Sequence, residues 1–163
     1  MLRNAEYIRK YVIDDKELAE NAQVGVDLTV NKLYEITEDF ILSKDGFGKK
    51  MAKNVEIQPD PMGFFHVKKG KVYSIEMDQG LKNLSEGLTA FIYQRSTLAR
   101  NGIFIRSSVY DPGFGTPAMG AILYAFNSGQ IEQHMRVAQI LFHQNEPANL
   151  YSGQYQNKNS NKG

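Results

Sequence analysis

The sequence predicts an all-β domain with helix confined to its start, and three observations carry that reading. From Val24 onward, short apolar runs recur between Gly, Pro, Asn and Asp residues, the punctuation of a sandwich or barrel rather than of repeated βαβ units. Helical patterning is limited to the first 22 residues. The length of 163 residues, with 42% hydrophobic and 23% charged content, suits one domain around a single core, to which nine Phe and nine Tyr add bulk.

Taken in order, residues 5–11 predict a turn or two of helix. Asp14 or Asp15 stands where it would cap a second short helix running to Asn21, with Leu18 facing inward. Strands are expected at 26–30, 33–36, 64–67, 72–77, 89–94, 103–106, 121–127 and 137–143. Residues 43–62 are polar with two Gly and two Pro and read as a long hairpin or loop, whose Lys44, Lys49, Lys50 and Lys53 form a solvated face. The domain is expected to span 1–156, followed by a flexible tail, NKNSNKG, at 157–163 that is too polar to bury.

Composition excludes several classes of function. A formal net charge of +1 provides no field to recruit duplex nucleic acid, so an anionic ligand must be held by a few local cations and backbone donors. The absence of Cys removes disulfides, thiolate zinc sites and a Cys nucleophile, and it fits a reducing compartment. No window approaches the roughly 18 apolar residues of a membrane span, and the N-terminus lacks a signal-peptide apolar stretch, so a cytoplasmic location is expected. His66, His134 and His143 fit no metal-ligand spacing and are read as structural.

Four segments carry chemistry. In RSTLARNGI at 95–103, Arg95 and Arg100 bracket Ser96 and Thr97, which brings guanidinium groups, hydroxyls and amides together in a combination suited to phosphate oxygens. SSVYDPGFGTP at 107–117 places Ser107 and Ser108 ahead of a tight turn, with Gly113 free to take a positive φ. Asp111 in that turn either deprotonates a water beside a pocket or bonds its own turn, and Phe114 is either core or a platform for a sugar or base. GVDLTV at 25–30 and RVAQILF at 136–142 are apolar runs interrupted by Asp27 and Gln139, polar groups that need partners or a ligand if buried.

In this order the segments resemble the motif series of the dUTPase and dCTP deaminase superfamily. GVDLTV is similar to the first motif, RSTLAR to the second, YDPGF with the following strand to the third, and RVAQILF to the fourth. The resemblance covers about residues 24–156 and leaves 37–72 without a clear motif. It implies a distorted jelly-roll β-barrel that assembles as a homotrimer with shared active sites, binding a deoxyuridine or deoxycytidine nucleotide and Mg²⁺. By the same resemblance, Arg95, Ser96 and Gln139 hold phosphate oxygens, with Thr97 and Arg100 beside them. Asp111 activates the attacking water, Phe114 packs on the deoxyribose where dUTPases carry a Tyr, and Asp27 lies near the metal, meeting it through water. Ser107 and Ser108 belong to the hairpin that reads the pyrimidine, and the C-terminal YSGQYQ supplies Tyr151, Tyr155 and Gln156 as lid contacts.

RSTLAR, YDPGF and YSGQYQ look closest to the deaminase branch. That branch carries a Glu in the strand after the third motif as its proton shuttle, and here the strand reads GAILYAFNSG, with Tyr124 and Ala125 at the candidate positions. Deamination needs a group that takes a proton from water and delivers it to the leaving amine, which neither residue does. The expected activity is therefore dUTP diphosphatase. The alternatives are a dCTP deaminase or bifunctional enzyme with an acid such as Glu132 substituting, diphosphatase activity on dCTP, and a nucleotide-binding regulator without turnover. The hairpin between Gly102 and Asp111 is about two residues shorter than the superfamily pattern, and the loop GFGTPAMG is longer.

Overall fold

The computed structural model describes residues 1–153 and Gln156. One helix, α1 (Ala5–Arg9), opens the chain, followed by β1 (Val12–Ile13), β2 (Glu20–Asn21), β3 (Val26–Thr37), β4 (Lys53–Ile57), β5 (Phe64–Val67), β6 (Val72–Met77), β7 (Gly80–Leu81) and β8 (Leu88–Gln94). A second helix, α2 (Ser96–Arg100), precedes β9 (Ile103–Arg106), β10 (Gly120–Ala125), β11 (Gly129–Glu132) and β12 (Arg136–Gln144). The pairings run β12-β8-β9-β10-β6-β3, all antiparallel, and close into a barrel because β12 also pairs with β3. β2 and β4 pair with β3 at either end, and β1–β7 and β11–β5 form two separate two-stranded sheets. No helix among the described residues is long and apolar enough to cross a membrane.

Period-two alternation builds the core. Val26, Leu28 and Val30 of β3, Tyr73, Ile75 and Met77 of β6, Ala90 and Ile92 of β8, Ile103 and Ile105 of β9, and Ala138 and Ile140 of β12 all point inward and are buried. The intervening residues form an outer register row around the barrel. Asp27 lies opposite Gln139, Gln139 opposite Tyr93, Tyr93 opposite Arg106, Arg106 opposite Ile122, Ile122 opposite Ser74, and Ser74 opposite Tyr34. The row leaves β3 at Asp27 and returns to it further along, at Tyr34, which is the stagger that a closed sheet of tilted strands requires.

Two expectations change. Residues 14–21 are not helical. The Asp14 carboxylate does cap, but it caps a turn, accepting the N–H groups of Leu18 at 3.1 Å and Ala19 at 2.8 Å. Glu17, at φ 56°, stands in the left-handed region, which stops helix propagation. The segment then enters β2, where Glu20 lies opposite Asp27. α1 forms as expected, capped by Asn4 and burying Ala5 and Ile8.

The polar stretch 43–62 also contains a strand. β4 pairs with the distal half of β3, from Leu33↔Ile57 to Thr37↔Lys53, and together they make an arm that projects past the barrel. Strand propensity was hidden there because β4 is an edge strand with four of its five residues exposed. The runs expected at 26–30 and 33–36 merge into one strand that bends at an irregularity between Val30 and Lys32.

Candidate active site

The outward residues at the start of β3 and β12 form a polar cluster. Gln139 Nε2 donates to Asp27 Oδ1 at 2.8 Å, and Asp27 Oδ2 lies 3.4 Å from Arg95 Nε and 3.6 Å from Arg136 Nη1. Arg136 also pairs with Glu20. The side chain of Asp27 is 5% exposed, whereas those of Arg95 and Arg136 are 32% and 39% exposed, so the carboxylate sits beneath the two cations and their outer faces meet solvent. A buried carboxylate that orients two arginines presents a preorganised anion-binding face.

Arg95 is held at the entrance to α2 by its backbone, whose N–H donates to Val137 C=O at 2.9 Å. Ser96 and Thr97 follow in the first turn and are exposed, while Leu98 anchors the helix in the core. Arg100 stands exposed in the last turn, with no ion pair to the Asp27 cluster.

A cavity of about 550 Å³ opens on the outer face of β9, β10 and β6, beneath the segment 107–120. Ser108, Asp111, Phe114 and Tyr151 line it, together with Arg106 and with Ile36, Met51, Ala52 and Asn54 from the arm and the segment leading into it. Asp111 is the single acid among these lining residues. Its neighbour Tyr110 fixes it in place. Tyr110 exchanges both backbone hydrogen bonds with Ala90, at 3.0 and 2.9 Å, and its buried hydroxyl donates to Gly120 C=O at 2.6 Å and accepts Gly120 N–H at 3.1 Å. Burial pushes the Tyr110 phenol pKa up, and the bond to Gly120 only partly offsets this, so the hydroxyl stays a donor. Phe114 stacks on Tyr110, with centroids 5.0 Å apart, and Tyr151 meets the edge of Phe114 at 5.6 Å.

The turn between Asp111 and Phe114 closes through the Phe114 N–H and the Asp111 C=O at 3.0 Å. Gly113 there takes φ +85°, and a Cβ on it would lie 2.9 Å from both Leu150 Cβ and Tyr151 N, so glycine is required. The following segment folds back on this turn. Tyr151 N–H donates to Pro112 C=O at 2.6 Å, and Gln156 Nε2 donates to Gly113 C=O at 2.8 Å. Tyr155 and the tail 157–163 lie outside the described residues.

Ser107 takes a different place from the one expected. Its hydroxyl accepts the Ile92 N–H at 2.8 Å, which ties it to β8, and it is not among the residues that line the cavity. Asp27, Arg95 and Gln139 come together, and so do Asp111, Phe114, Ser108 and Tyr151, but none of the first group lines the cavity of the second. β12 and β10 are half a circuit apart in the ring of pairings. Sequence reasoning missed Arg106 and Asn54. Arg106, whose guanidinium carbon lies 5.4 Å from the Tyr93 ring centroid, was legible as an outward position of an alternating strand just before the SSVYD turn.

The positions weighed for a deaminase shuttle fall elsewhere. Tyr124 and Ala125 lie outside the Asp111 cavity, and Glu132 belongs to the β11–β5 pair. His66 and His134 pair with Asp60 and Asp78, consistent with structural roles. Among the described residues no three His, Cys, Asp or Glu side chains gather as a metal cage. Mg²⁺ does not need one, since it keeps several waters and is typically held by one or two carboxylates plus substrate phosphates, and Asp27 beside two partly exposed arginines fits that pattern.

Comparison with known proteins agrees with this architecture. A probable deoxyuridine 5'-triphosphate nucleotidohydrolase of Methanococcoides burtonii is 26% identical over 98% of this chain and 92% of its own length. The deoxyuridine 5'-triphosphate nucleotidohydrolase of Methanocaldococcus jannaschii is 29% identical over 91% of this chain and 95% of its own. Among solved structures, the 2'-deoxycytidine 5'-triphosphate deaminase of Agrobacterium tumefaciens superposes with a TM-score of 0.65 at 16% identity, covering 86% of this chain but 47% of that one, so this chain spans about half its length. A Staphylococcus bacteriophage 80alpha dUTPase variant with dUpNHpp superposes with a TM-score of 0.52 at 13% identity, over 88% of this chain and 95% of that one. The profile of the dCTP deaminase-like family matches residues 3–145, the whole of the barrel with its outer row, and the chain belongs to that family.

Proposed function

We propose that this protein hydrolyses dUTP to dUMP and pyrophosphate, and the observation that carries the reading is Asp111, the single acid in a cavity of nucleotide size beside an aromatic platform. The names of its relatives support the same substrate. The Asp111 carboxylate accepts a proton from a water that attacks the α-phosphorus. The bond from that phosphorus to the bridging oxygen breaks in line, and pyrophosphate leaves. Phe114 and Tyr151 pack on the sugar, and Ser108 lines the cavity beside them.

Arg95, Gln139 and Arg136, with Ser96, Thr97 and Arg100 around them, bind the phosphate chain. Asp27 keeps the arginines oriented and is the carboxylate that would meet Mg²⁺ through water. When bound, Mg²⁺ neutralises developing charge on the phosphate oxygens. The arginine face and the Asp111 cavity belong to different sides of one barrel, which favours an oligomer in which each site combines the cavity of one copy with the arginines of its neighbour, and the family resemblance implies that this oligomer is a homotrimer. A deaminase reading is weaker, because among the described residues the cavity is lined by no second carboxylate to serve as shuttle.

The test is product analysis with dUTP and Mg²⁺. Wild type is expected to release dUMP and pyrophosphate, and Asp111→Asn to lose at least about a hundredfold in rate, the scale of a general base. Equal slow release by both proteins would remove Asp111 from the chemistry.

A further inference from the structure

Among the described residues the cavity is lined by one acid, Asp111, and one cation, Arg106. The two do not neutralise each other. No ion pair joins them, and among the described residues neither the Asp111 carboxylate nor the Arg106 guanidinium makes a hydrogen bond. Arg106 is held from the side instead. It stands opposite Tyr93 across β9 and β8, with its guanidinium carbon 5.4 Å from the Tyr93 ring centroid. A guanidinium attracted to an aromatic face spends none of its N–H donors on that contact, so the fork stays available to an anion.

Hydrolysis at the α-phosphorus puts a negative charge into this cavity. A water stands between the Asp111 carboxylate and the phosphorus, so carboxylate and α-phosphate lie only about one water's width apart. Two anions that close repel each other wherever bulk water is partly excluded, and a cation beside them offsets the repulsion. Arg106 is the side chain of the cavity wall that carries that charge. Ser108 and the backbone N–H groups along the wall can donate hydrogen bonds, but they bring no net charge. Arg95 and Arg136 of the same copy are gathered around Asp27, outside this cavity.

We propose that Arg106 is a ligand of the α-phosphate, a role that rests on the hydrolase reading of the cavity, and that the Arg95 and Arg136 face takes the β- and γ-phosphates. The substrate is then divided at the bond that breaks. The cavity of one copy holds a complete nucleoside monophosphate, and the arginine face holds the pyrophosphate. Arg106 touches the substrate, whereas Tyr93 acts through it by keeping the guanidinium beside the ring and away from the Asp111 carboxylate.

Calorimetry on the full chain with dUMP and with inorganic pyrophosphate tests this division without relying on turnover. Arg106→Gln should weaken dUMP by about tenfold or more, the loss of a charge-assisted contact, and leave pyrophosphate within about twofold of wild type. Arg95→Gln should do the reverse. Arg106→Lys, which keeps the charge and loses the fork, should fall between wild type and Arg106→Gln for dUMP. Raising the salt concentration about tenfold should weaken dUMP binding to wild type more than to Arg106→Gln, because the variant has lost the ion contact that salt screens. A melting temperature near wild type, expected for an exposed side chain, separates loss of binding from loss of fold.

Unchanged dUMP affinity in Arg106→Gln overturns the assignment, and so does an equal loss of dUMP and pyrophosphate. A loss of dUMP affinity with the salt dependence of wild type also overturns it, since Arg106 then touches the base or sugar rather than the phosphate. Wild type that does not bind dUMP overturns it as well. Wild type that shows the expected division but releases no pyrophosphate from dUTP overturns the hydrolase reading and leaves Arg106 standing as a phosphate ligand.

Discussion

Replacing Asp27 by Asn tests the buried carboxylate that joins Gln139, Arg95 and Arg136. The change keeps shape and leaves an oxygen to accept from Gln139, but it removes the charge that faces Arg95 and Arg136. Deleting one partner of a fully buried pair costs about 3–5 kcal/mol, yet both arginines here are about a third exposed and keep much of their hydration. Ion pairs with such a partner contribute about 0.5–1 kcal/mol each. The Gln139 bond at 2.8 Å falls from charge-assisted to neutral, a further loss of about 1 kcal/mol. The total is about 2–3 kcal/mol, which in a domain of this size lowers the melting midpoint by roughly 5–10 °C. Circular dichroism melts at matched protein concentration measure it. Asp27→Ala, which also leaves the Gln139 amide without its acceptor, should fall about 1–2 kcal/mol further. Arginines that lose their orienting carboxylate should at the same time bind inorganic pyrophosphate less tightly, so stability and anion affinity fall together. An unchanged Asp27→Asn midpoint, or pyrophosphate binding no weaker than that of wild type in a folded variant, would refute the view that this carboxylate holds the cations in place.

Three further outcomes follow from the same contacts. Burial pushes the Asp14 pKa up, but the N–H groups of Ala19 and Leu18, the Gln79 carboxamide and Arg9 outweigh it and hold the carboxyl below its ordinary 3.8. A depressed folded-state pKa means that this stabilisation is present above pH 3.8 and is lost as pH falls through the folded value, so Asp14→Asn should flatten the acid limb of a stability-versus-pH curve measured by urea unfolding. Tyr110 has the opposite sign: its raised pKa means full stabilisation below pH 10.0 and progressive loss above it, and Tyr110→Phe should remove that alkaline slope while costing about 1–3 kcal/mol at neutral pH, where Gly120 N–H and C=O lose their partner. Gly113→Ala, forced into φ +85° against Leu150 and Tyr151, should cost about 1–2 kcal/mol and release the segment after Pro112, read as faster proteolytic trimming beyond residue 150 with little change in the barrel's far-ultraviolet spectrum.

Much of this structure was legible in the sequence wherever a residue's neighbours in space repeat a local rule. Strands β5, β6 and β9 fall where the apolar runs lie, because each buries one face at period two. Asp27 and Gln139 were conspicuous as single polar residues in apolar runs, and they turn out to be opposite one another. What stayed hidden depended on long-range geometry. Asp14 satisfies every local criterion for a helix cap, but β2 is drawn into pairing with β3, and the cap closes a turn instead. β4 carries no core-facing pattern since it extends an arm beyond the core. Asn54 joins Asp111 in one cavity across more than fifty positions of sequence, and no spacing rule connects them. Ser107 and Ser108 are adjacent in sequence, yet the alternation of the strand end sends one into a backbone bond and the other into the cavity.

The double pairing of β12 has a consequence for how the chain is made. β12 joins β3 to β8, and residues 2 and 3 bond to His143 and Phe142. During synthesis, β3 emerges among the earliest strands and then waits with an open edge while most of the chain follows, since its partner is the last strand of the barrel. The barrel therefore cannot close until residue 144 has cleared the ribosome. Until then the hydrophobic inner face of β3 has only its local partners β2, β4 and β6 to shield it, and folding is committed by the last barrel strand to arrive, which makes the nascent chain a natural client for whatever protects unpaired strand edges in the cell.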